Sequence, residues 1–414
     1  MAEPRRHLDI ETEVVHVGKG QGVPAGQPTA TPIYAAATYT YESMDEMDKV
    51  FGGELPGYVY TRHGNPTVTV LEDAMQLIER GAVARAYGSG MAALHAALFA
   101  CELSPGAVVL GSQDLYGATT NLLLNIFGVF GIKTVFADFN DLDAVRAKAN
   151  ELKPRVLIAE TISNPLLKVC DIDSCAEIAH AAGARLIIDN TFASPYLCQP
   201  LNHGADLVVH SATKFLGGHA DAMGGIAISR DEFDNAALTG VMKLVGGVLS
   251  PWEAHEILRG MKTLGVRMDR HCENARALAV HLQDDPRIGR VYFPGLAAAA
   301  ESTVVTRMLR PQNFGALISI ELKDSSREAA FRFMDRLNLV VRSTSLGDVF
   351  TSALHPATAS HRDLSPARRR ELGISDGLIR ISVGIESVND IIADIDQALA
   401  AVSEPGTVAT GSSA

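Results

Sequence analysis

From Pro66 onward the chain alternates between two kinds of hydrophobic pattern. The run TVTVLEDAMQLIERG (67–81) repeats its apolar positions at helical spacing and predicts an amphipathic helix ending at Gly81. MAALHAALFACEL (91–103) is apolar on nearly every side, which predicts a buried helix. Short apolar runs then recur between helical stretches: AVVLGS, TVFADF, VLIAET, LIIDNT and LVVHSA. Such alternation predicts an α/β fold with a mostly parallel sheet covered by helices on both faces. After about residue 260 the pattern changes. A long helix is expected over Met261 to Leu282, strands near VYFP and ALISIEL, and helices over Arg327 to Leu337 and Val388 to Val402. Residues 1–64 are rich in Gly, Pro and Thr, interrupted by one amphipathic segment, ESMDEMDKVF, and read as an extended arm. The expected division is therefore an N-terminal arm (1–64), a large α/β domain (65–259), a C-terminal α+β domain (260–402) and a small, polar, flexible tail (403–414).

Composition narrows the class. Hydrophobic residues make up 47% and charged residues 20% of 414, the profile of a soluble globular protein. The formal net charge is -12 with no long Lys/Arg run, which argues against nucleic acid or an anionic membrane surface as the main partner. The start, MAEPRRHLDIE, has no apolar signal region, and the most apolar stretch, Met91 to Cys101, is too short to span a bilayer. Cys101, Cys170, Cys175, Cys198 and Cys272 are irregularly spaced, which fits a reducing cytoplasm better than a disulfide framework.

Ligands of open α/β sheets sit beyond the C-terminal ends of the strands, so the residues after each apolar run are the place to look. After LIID stand Asn190 and Thr191, with Asp189 as a carboxylate at the strand end. After LVVH come Ser211, Thr213 and Lys214, then the pair Gly217-Gly218. Upstream, Ser89, Gly90 and Met91 open the buried helix, and a helix N-terminus is a ready anion site. Singly, each of these is an ordinary cap or surface charge. Jointly, a lysine for a Schiff base, an acid for a pyridinium nitrogen and donors for a phosphate suit pyridoxal 5′-phosphate. No cysteine pair has zinc-ligand spacing, so no metal is expected; no G-x-S-x-G or P-loop occurs either.

The ordered motifs YTRHGNPT (60–67), GSGMAA (88–93), DLYGATT (114–120), SNP (163–165), DNT (189–191), HSATKFLGGHAD (210–221), VLSPWEAHEILRGMKTL (248–264), SLGD (345–348) and LIRISVGIE (378–386) carry a resemblance. The chain resembles the fold-type-I pyridoxal-phosphate enzymes of cysteine and methionine metabolism. These are cystathionine γ-synthase and γ-lyase, methionine γ-lyase and the O-acylhomoserine sulfhydrylases. The resemblance implies that Lys214 holds the cofactor covalently and moves protons, with a depressed pKa, and that Asp189 pairs with the ring nitrogen. It implies that Tyr116 stacks on the ring as an acid/base, and that Ser89, Gly90, Met91, Ser211 and Thr213 bind phosphate. Asn164 is implied to bond the phenolic oxygen and Thr191 to lie in the cofactor site; Tyr60 and Arg62 would reach the phosphate of an adjacent subunit. Arg380 would clamp the α-carboxylate of an amino-acid substrate, aided by Ser345. A homotetramer with shared active sites is implied as well.

Departures from the cystathionine enzymes bear on the substrate. Those enzymes carry charged groups where this chain has Val59, Asn121 and Thr344, and neutral groups leave no partner for a second zwitterion. The expectation is γ-elimination on methionine- or homocysteine-like substrates, giving 2-oxobutanoate, ammonia and a thiol. An O-acetyl- or O-succinylhomoserine sulfhydrylase, or a cystathionine enzyme, is the alternative. Ala118 and Met242-Lys243 depart from the usual methionine γ-lyase pattern. An aminotransferase of this fold type would keep Lys214, Asp189 and Arg380, but YTRHGNPT and SLGD belong to the transsulfuration pattern. A cofactor-free binding protein would have no use for both Lys214 and Asp189.

Overall fold

Five parallel strands run to one edge of a seven-stranded sheet, and two further strands complete its other edge. The computed structural model describes residues 28–296 and 302–403. The first 27 residues of the expected arm and residues 404–414 of the expected tail lie outside the described residues. Residues 28–32, at the end of a separate N-terminal unit, carry no regular structure; Ile33 onward is one compact unit. In sequence order the strands of the first sheet are β1 (Val83–Tyr87), β2 (Val108–Ser112), β3 (Lys133–Ala137), β4 (Val156–Glu160), β5 (Arg185–Asp189), β6 (Leu207–Ser211) and β7 (Gly225–Ser229). Their spatial order is β1-β7-β6-β5-β4-β2-β3, with β7 antiparallel to both neighbours. Within this sheet the two strands that the periodicity did not predict are β1, interrupted by Arg85, and β7, which opens on the second of the paired glycines Gly224 and Gly225. Every residue of β4 and β7 is buried, as expected of strands covered on both faces.

Helices cover the sheet. The one over Pro66–Glu79 starts where Asn65 Oδ1 accepts the Thr67 N–H at 2.9 Å and Pro66 supplies a preset first turn. It turns Val68, Leu71 and Met75 into the core and stops at Glu79, because Arg80 adopts the left-handed conformation. The Gly90–Ala100 helix is apolar all round and buried against β6 and β7.

The C-terminal region holds a five-stranded, mostly antiparallel sheet: β8 (Ile288–Tyr292), β9 (Leu317–Leu322), β10 (Val341–Arg342), β11 (Ser352–Leu354) and β12 (Leu378–Ser382), in the order β10-β11-β12-β9-β8. The helix expected over Met261 to Leu282 is Leu264–Gln283; a further helix, Pro251–Met261, precedes it, and the two are separated at Lys262 and Thr263. The break lies where the chain presses on the turn after Lys214. A Cβ on Gly260 would overlap the Gly217 carbonyl oxygen. Arg267, in the second helix, is buried there and donates to the carbonyls of Phe215 and Gly260 at 2.8 Å each. From Ile33 the expected arm carries a helix over Met44–Phe51 and an isolated bridge, Thr38 to Tyr60.

Candidate functional site

The C-terminal ends of β4, β5 and β6, the N-terminus of the Gly90–Ala100 helix and the 344–346 loop enclose a cavity of about 490 Å³. Of the residues singled out from sequence, Ser89, Gly90, Met91, Tyr116, Asn164, Asp189, Thr191, Ser211, Thr213, Lys214, Thr344, Ser345 and Arg380 all line it. A larger cavity, about 620 Å³, opens elsewhere beside Val59, Glu72 and Arg85 and holds none of that set.

One end of the smaller cavity is built for an anion. Ser89 caps the Gly90–Ala100 helix, its hydroxyl accepting the Ala92 N–H at 3.2 Å, and the first-turn amides of Gly90 and Met91 stand beside the cavity. Gly90 is pressed on β6 so closely that a Cβ would meet Ser211 Cβ at 2.8 Å. This contact brings the helix end to the hydroxyls of Ser211 and Thr213. Glycine is required there by space.

Two carboxylates face the middle. Glu160 and Asp189 are register partners on β4 and β5, so both project to the same face. Asp189 Oδ1 accepts the Thr191 N–H at 3.0 Å and the Thr191 hydroxyl at 2.5 Å. Glu160 Oε1 accepts the backbone N–H of Tyr116 at 2.5 Å. Burial and then the neighbouring Asp189 charge push the Glu160 carboxyl well above its ordinary range. Burial raises Asp189 too, opposed by its two Thr191 hydrogen bonds and by His210.

Lys214 lies opposite, its Nζ donating to Ser345 Oγ at 2.7 Å. Burial and then the Arg380 guanidinium hold the lysine below its ordinary range, against the pull of Asp348. Ser345 is a left-handed, non-glycine residue (φ 85°), and that conformation lets it serve two cations. Its hydroxyl meets Lys214, and its carbonyl accepts Arg380 Nη2 at 2.9 Å. Arg380 is 3% exposed, with Nη1 on Asn164 Oδ1 at 2.9 Å and no partner at Nε among the described residues. Burial pushes it down to about 10, opposed by Tyr116 and Glu160. Because Arg380 takes the Asn164 carbonyl oxygen, that side chain's amide is what it can offer a phenolic oxygen.

Three expected site residues stand apart from the cavity within their own chain. Asn121 donates to Asp363 Oδ2 at 2.9 Å, which ties the helix after Tyr116 to the 360s loop and keeps its amide out of the cavity. Tyr60 is exposed, and Arg62 lies over its ring at 5.4 Å and donates to the Lys243 carbonyl. Sequence reasoning missed Glu160, although the strand-end rule that found Asp189 applies equally to the E of VLIAET. It also missed Phe192 and Ser360, which no local motif signals; Ser360 Oγ is 2.9 Å from Nδ1 of the buried His361.

A reactive amine at one wall, a carboxylate aimed at the centre and a helix-end anion cradle fit pyridoxal phosphate. The orphan Nε of Arg380 leaves a donor for a carboxylate. Among the described residues no group of three His, Cys, Asp or Glu side chains is placed to hold a metal ion. No helix of the described residues is long and apolar enough to cross a membrane.

Comparison with known proteins agrees with this geometry. The family profile described as Cys/Met metabolism PLP-dependent enzyme matches residues 11–400. The L-methionine gamma-lyase of Fusobacterium nucleatum subsp. polymorphum is 41% identical over 372 residues, 89% of this chain and 93% of the relative. The O-succinylhomoserine sulfhydrylase of Pseudomonas aeruginosa is 40% identical over 370 residues, 89% of this chain and 90% of the relative. A solved structure from Campylobacter jejuni, with N′-pyridoxyl-lysine-5′-monophosphate at position 205 of its own chain, superposes with a TM-score of 0.85 at 31% identity, covering 90% of this chain and 95% of that one. An almost complete family match, on a fold of the same kind with its lysine, carboxylates and anion cradle in one cavity, leaves one assignment: the chain is a member of the Cys/Met-metabolism family of pyridoxal-phosphate-dependent enzymes.

Proposed function

We propose that the protein is a carbon–sulfur lyase acting by γ-elimination on L-methionine or L-homocysteine-like substrates. The carrying observation is the charge of the cavity wall: among the described residues, the side chains with formal charge that line it are Glu160, Asp189, Lys214 and Arg380. Asp189 and Lys214 serve the cofactor and Glu160 holds Tyr116. Arg380 is thus the cation left, in that set, for a substrate carboxylate. The remaining wall, including Met223, Thr344, Leu354, Ala359 and Ser360, is neutral. It suits a thioether tail and gives no partner to a second zwitterion or to a succinyl carboxylate.

Pyridoxal phosphate, when bound, supplies the electron sink for charge developing next to the amino group. Lys214 Nζ would carry it, and the Gly90 and Met91 amides with Ser211 and Thr213 would hold its phosphate. Asp189 would face its ring nitrogen. Freed as an amine, which its lowered pKa favours, Lys214 would take the proton from the substrate α-carbon and return it elsewhere on the chain. Ser345 Oγ, 2.7 Å from Nζ, would steady the amine while it is free of the cofactor. Tyr116, fixed at its backbone by Glu160, would stack on the ring and protonate the departing sulfur.

We further read the enzyme as a cytoplasmic homotetramer. Exposed Tyr60 and Arg62, which stand apart from the cofactor cavity of their own chain, support a role in a neighbouring copy's phosphate site. Five free, buried cysteines support a reducing compartment. Product analysis tests the reaction. Cofactor-loaded protein should release 2-oxobutanoate from L-methionine or L-homocysteine with no added thiol. Homocysteine appearing only from an O-acylhomoserine plus sulfide would make the protein a sulfhydrylase and defeat the proposal.

A further inference from the structure

Behind the two cavity carboxylates the sheet carries a second polar cluster that the chemistry above does not use. Glu160 and Asp189 face the cavity, so the next residues along their strands, Thr161 and Asn190, face the other side. There the Thr161 hydroxyl donates to Asn190 Oδ1 at 2.7 Å, tying the two strand ends together. Asn190 Nδ2 donates to Glu79 Oε1 at 3.0 Å and to the Cys198 carbonyl at 2.9 Å. His210 Nε2, on β6, meets the same Glu79 oxygen at 2.5 Å. All four side chains are at most 1% exposed.

This cluster is poorly explained as a device for stability. Glu79 is the last residue of its helix, where the helix dipole disfavours a carboxylate. Its second oxygen, Oε2, is buried without a partner among the described residues. Apolar side chains of similar volume would fill the space without the desolvation of a carboxylate and an imidazole. What apolar residues cannot do is fix the ends of β4, β5 and β6 against one another by directional bonds. Those three ends carry Glu160, Asp189 and Ser211, which form the floor of the cavity.

We propose that Glu79, His210, Asn190 and Thr161 are positioning residues: a buried polar network that holds Asp189 and Glu160 toward the cofactor from behind the sheet. The proposal rests on the reading of Asp189 as the ring-nitrogen partner. It adds a residue from a helix terminus on the far face, Glu79, that touches neither cofactor nor substrate. The His210 ring also favours the charged form of Asp189, so its orientation by Glu79 reaches the site electrostatically as well as through the backbone.

The test uses the full-length holoenzyme with Glu79→Gln, His210→Asn and, as a control on the underlying reading, Asp189→Asn. Three quantities are followed: the visible band of bound pyridoxal phosphate with its pH titration, the rate of cofactor release on dilution, and the thermal midpoint. Glu79→Gln and His210→Asn should each displace the midpoint of the band's pH titration and speed cofactor release about tenfold, the weight of one charge-assisted hydrogen bond. The double variant should add little further, because both act through one network. If both variants lower the thermal midpoint while band, titration and release stay as in the parent, the network is only structural and the proposal falls. If Asp189→Asn leaves the band and titration unmoved, the reading of Asp189 fails instead. Asn190→Ser reaches the same network from a third element and decides the matter should either of the first two variants not fold.

Discussion

Gly347 offers a direct measure of how tightly the lysine turn is held. It lies in SLGD with φ +83°, and a Cβ there would stand 2.6 Å from the Phe215 backbone nitrogen and 3.1 Å from the Lys214 carbonyl carbon. Gly347→Ala thus meets two penalties. The left-handed conformation costs an L-residue about 1–2 kcal/mol, and forcing a methyl into a filled backbone contact costs about 1–3 kcal/mol. The sum is about 2–5 kcal/mol. Gly246 supplies the control, having φ +84° and open space for 4 Å around the point where a Cβ would stand. Gly246→Ala should cost about 1–2 kcal/mol, the conformational penalty alone. Urea unfolding of both holo variants, at equal protein and cofactor concentration, reads the difference. Gly347→Ala should also slow turnover, since the displaced atoms are Lys214's own backbone and the loop carries Ser345. Equal losses in the two variants, within about 0.5 kcal/mol, would refute the claim that this loop is clamped on the lysine turn.

Arg62→Ala should weaken pyridoxal-phosphate retention more than it lowers the thermal midpoint, because its bond within its own chain is a surface contact with the Lys243 carbonyl; unchanged cofactor occupancy would rule out an intersubunit phosphate contact. Thr344→Glu should raise activity on cystathionine relative to methionine by giving the neutral wall a charge, as read from the ratio of the two kcat/KM values. His271 and His361 are each pushed down to about 4 from an ordinary 6.5, first of all by burial. A depressed histidine stabilises the fold above its unfolded pKa, and that contribution drains away as pH falls through the folded value. Each should therefore withdraw about 3 kcal/mol between roughly pH 6.5 and pH 4. His271→Gln should flatten that part of the stability profile, and an unaltered acid slope would contradict it.

The large-domain strands from AVVLGS to LVVHSA were legible because parallel, doubly covered strands read as short apolar runs. Asp189 and Lys214 were legible because the chemistry of α/β sheets collects at strand ends. The Pro251–Met261 helix and the contact of its Gly260 with Gly217 were not, since the partner in that contact lies far away in sequence. Glu160 was legible by the same rule as Asp189 but has no companion motif beside it. Asn121 was read as a substrate contact from its place after Tyr116, and only the folded loop at Asp363 shows where its amide goes.

What the sequence determined by itself was the kind of chemistry: which residue types are present, and near which strand ends. Local pattern and composition suffice for that, because strand burial and helix capping are decided within a few residues. What the tertiary structure decided was which of those groups share a proton, a cation or a wall. Ser345 joins Lys214 to Arg380 across 131 and 35 residues of chain. Glu79 reaches the floor of the site across 111. Such distances carry no periodicity, and only burial in a common interior, where a hydrogen bond is strong and an unpaired charge costly, makes these groups act together.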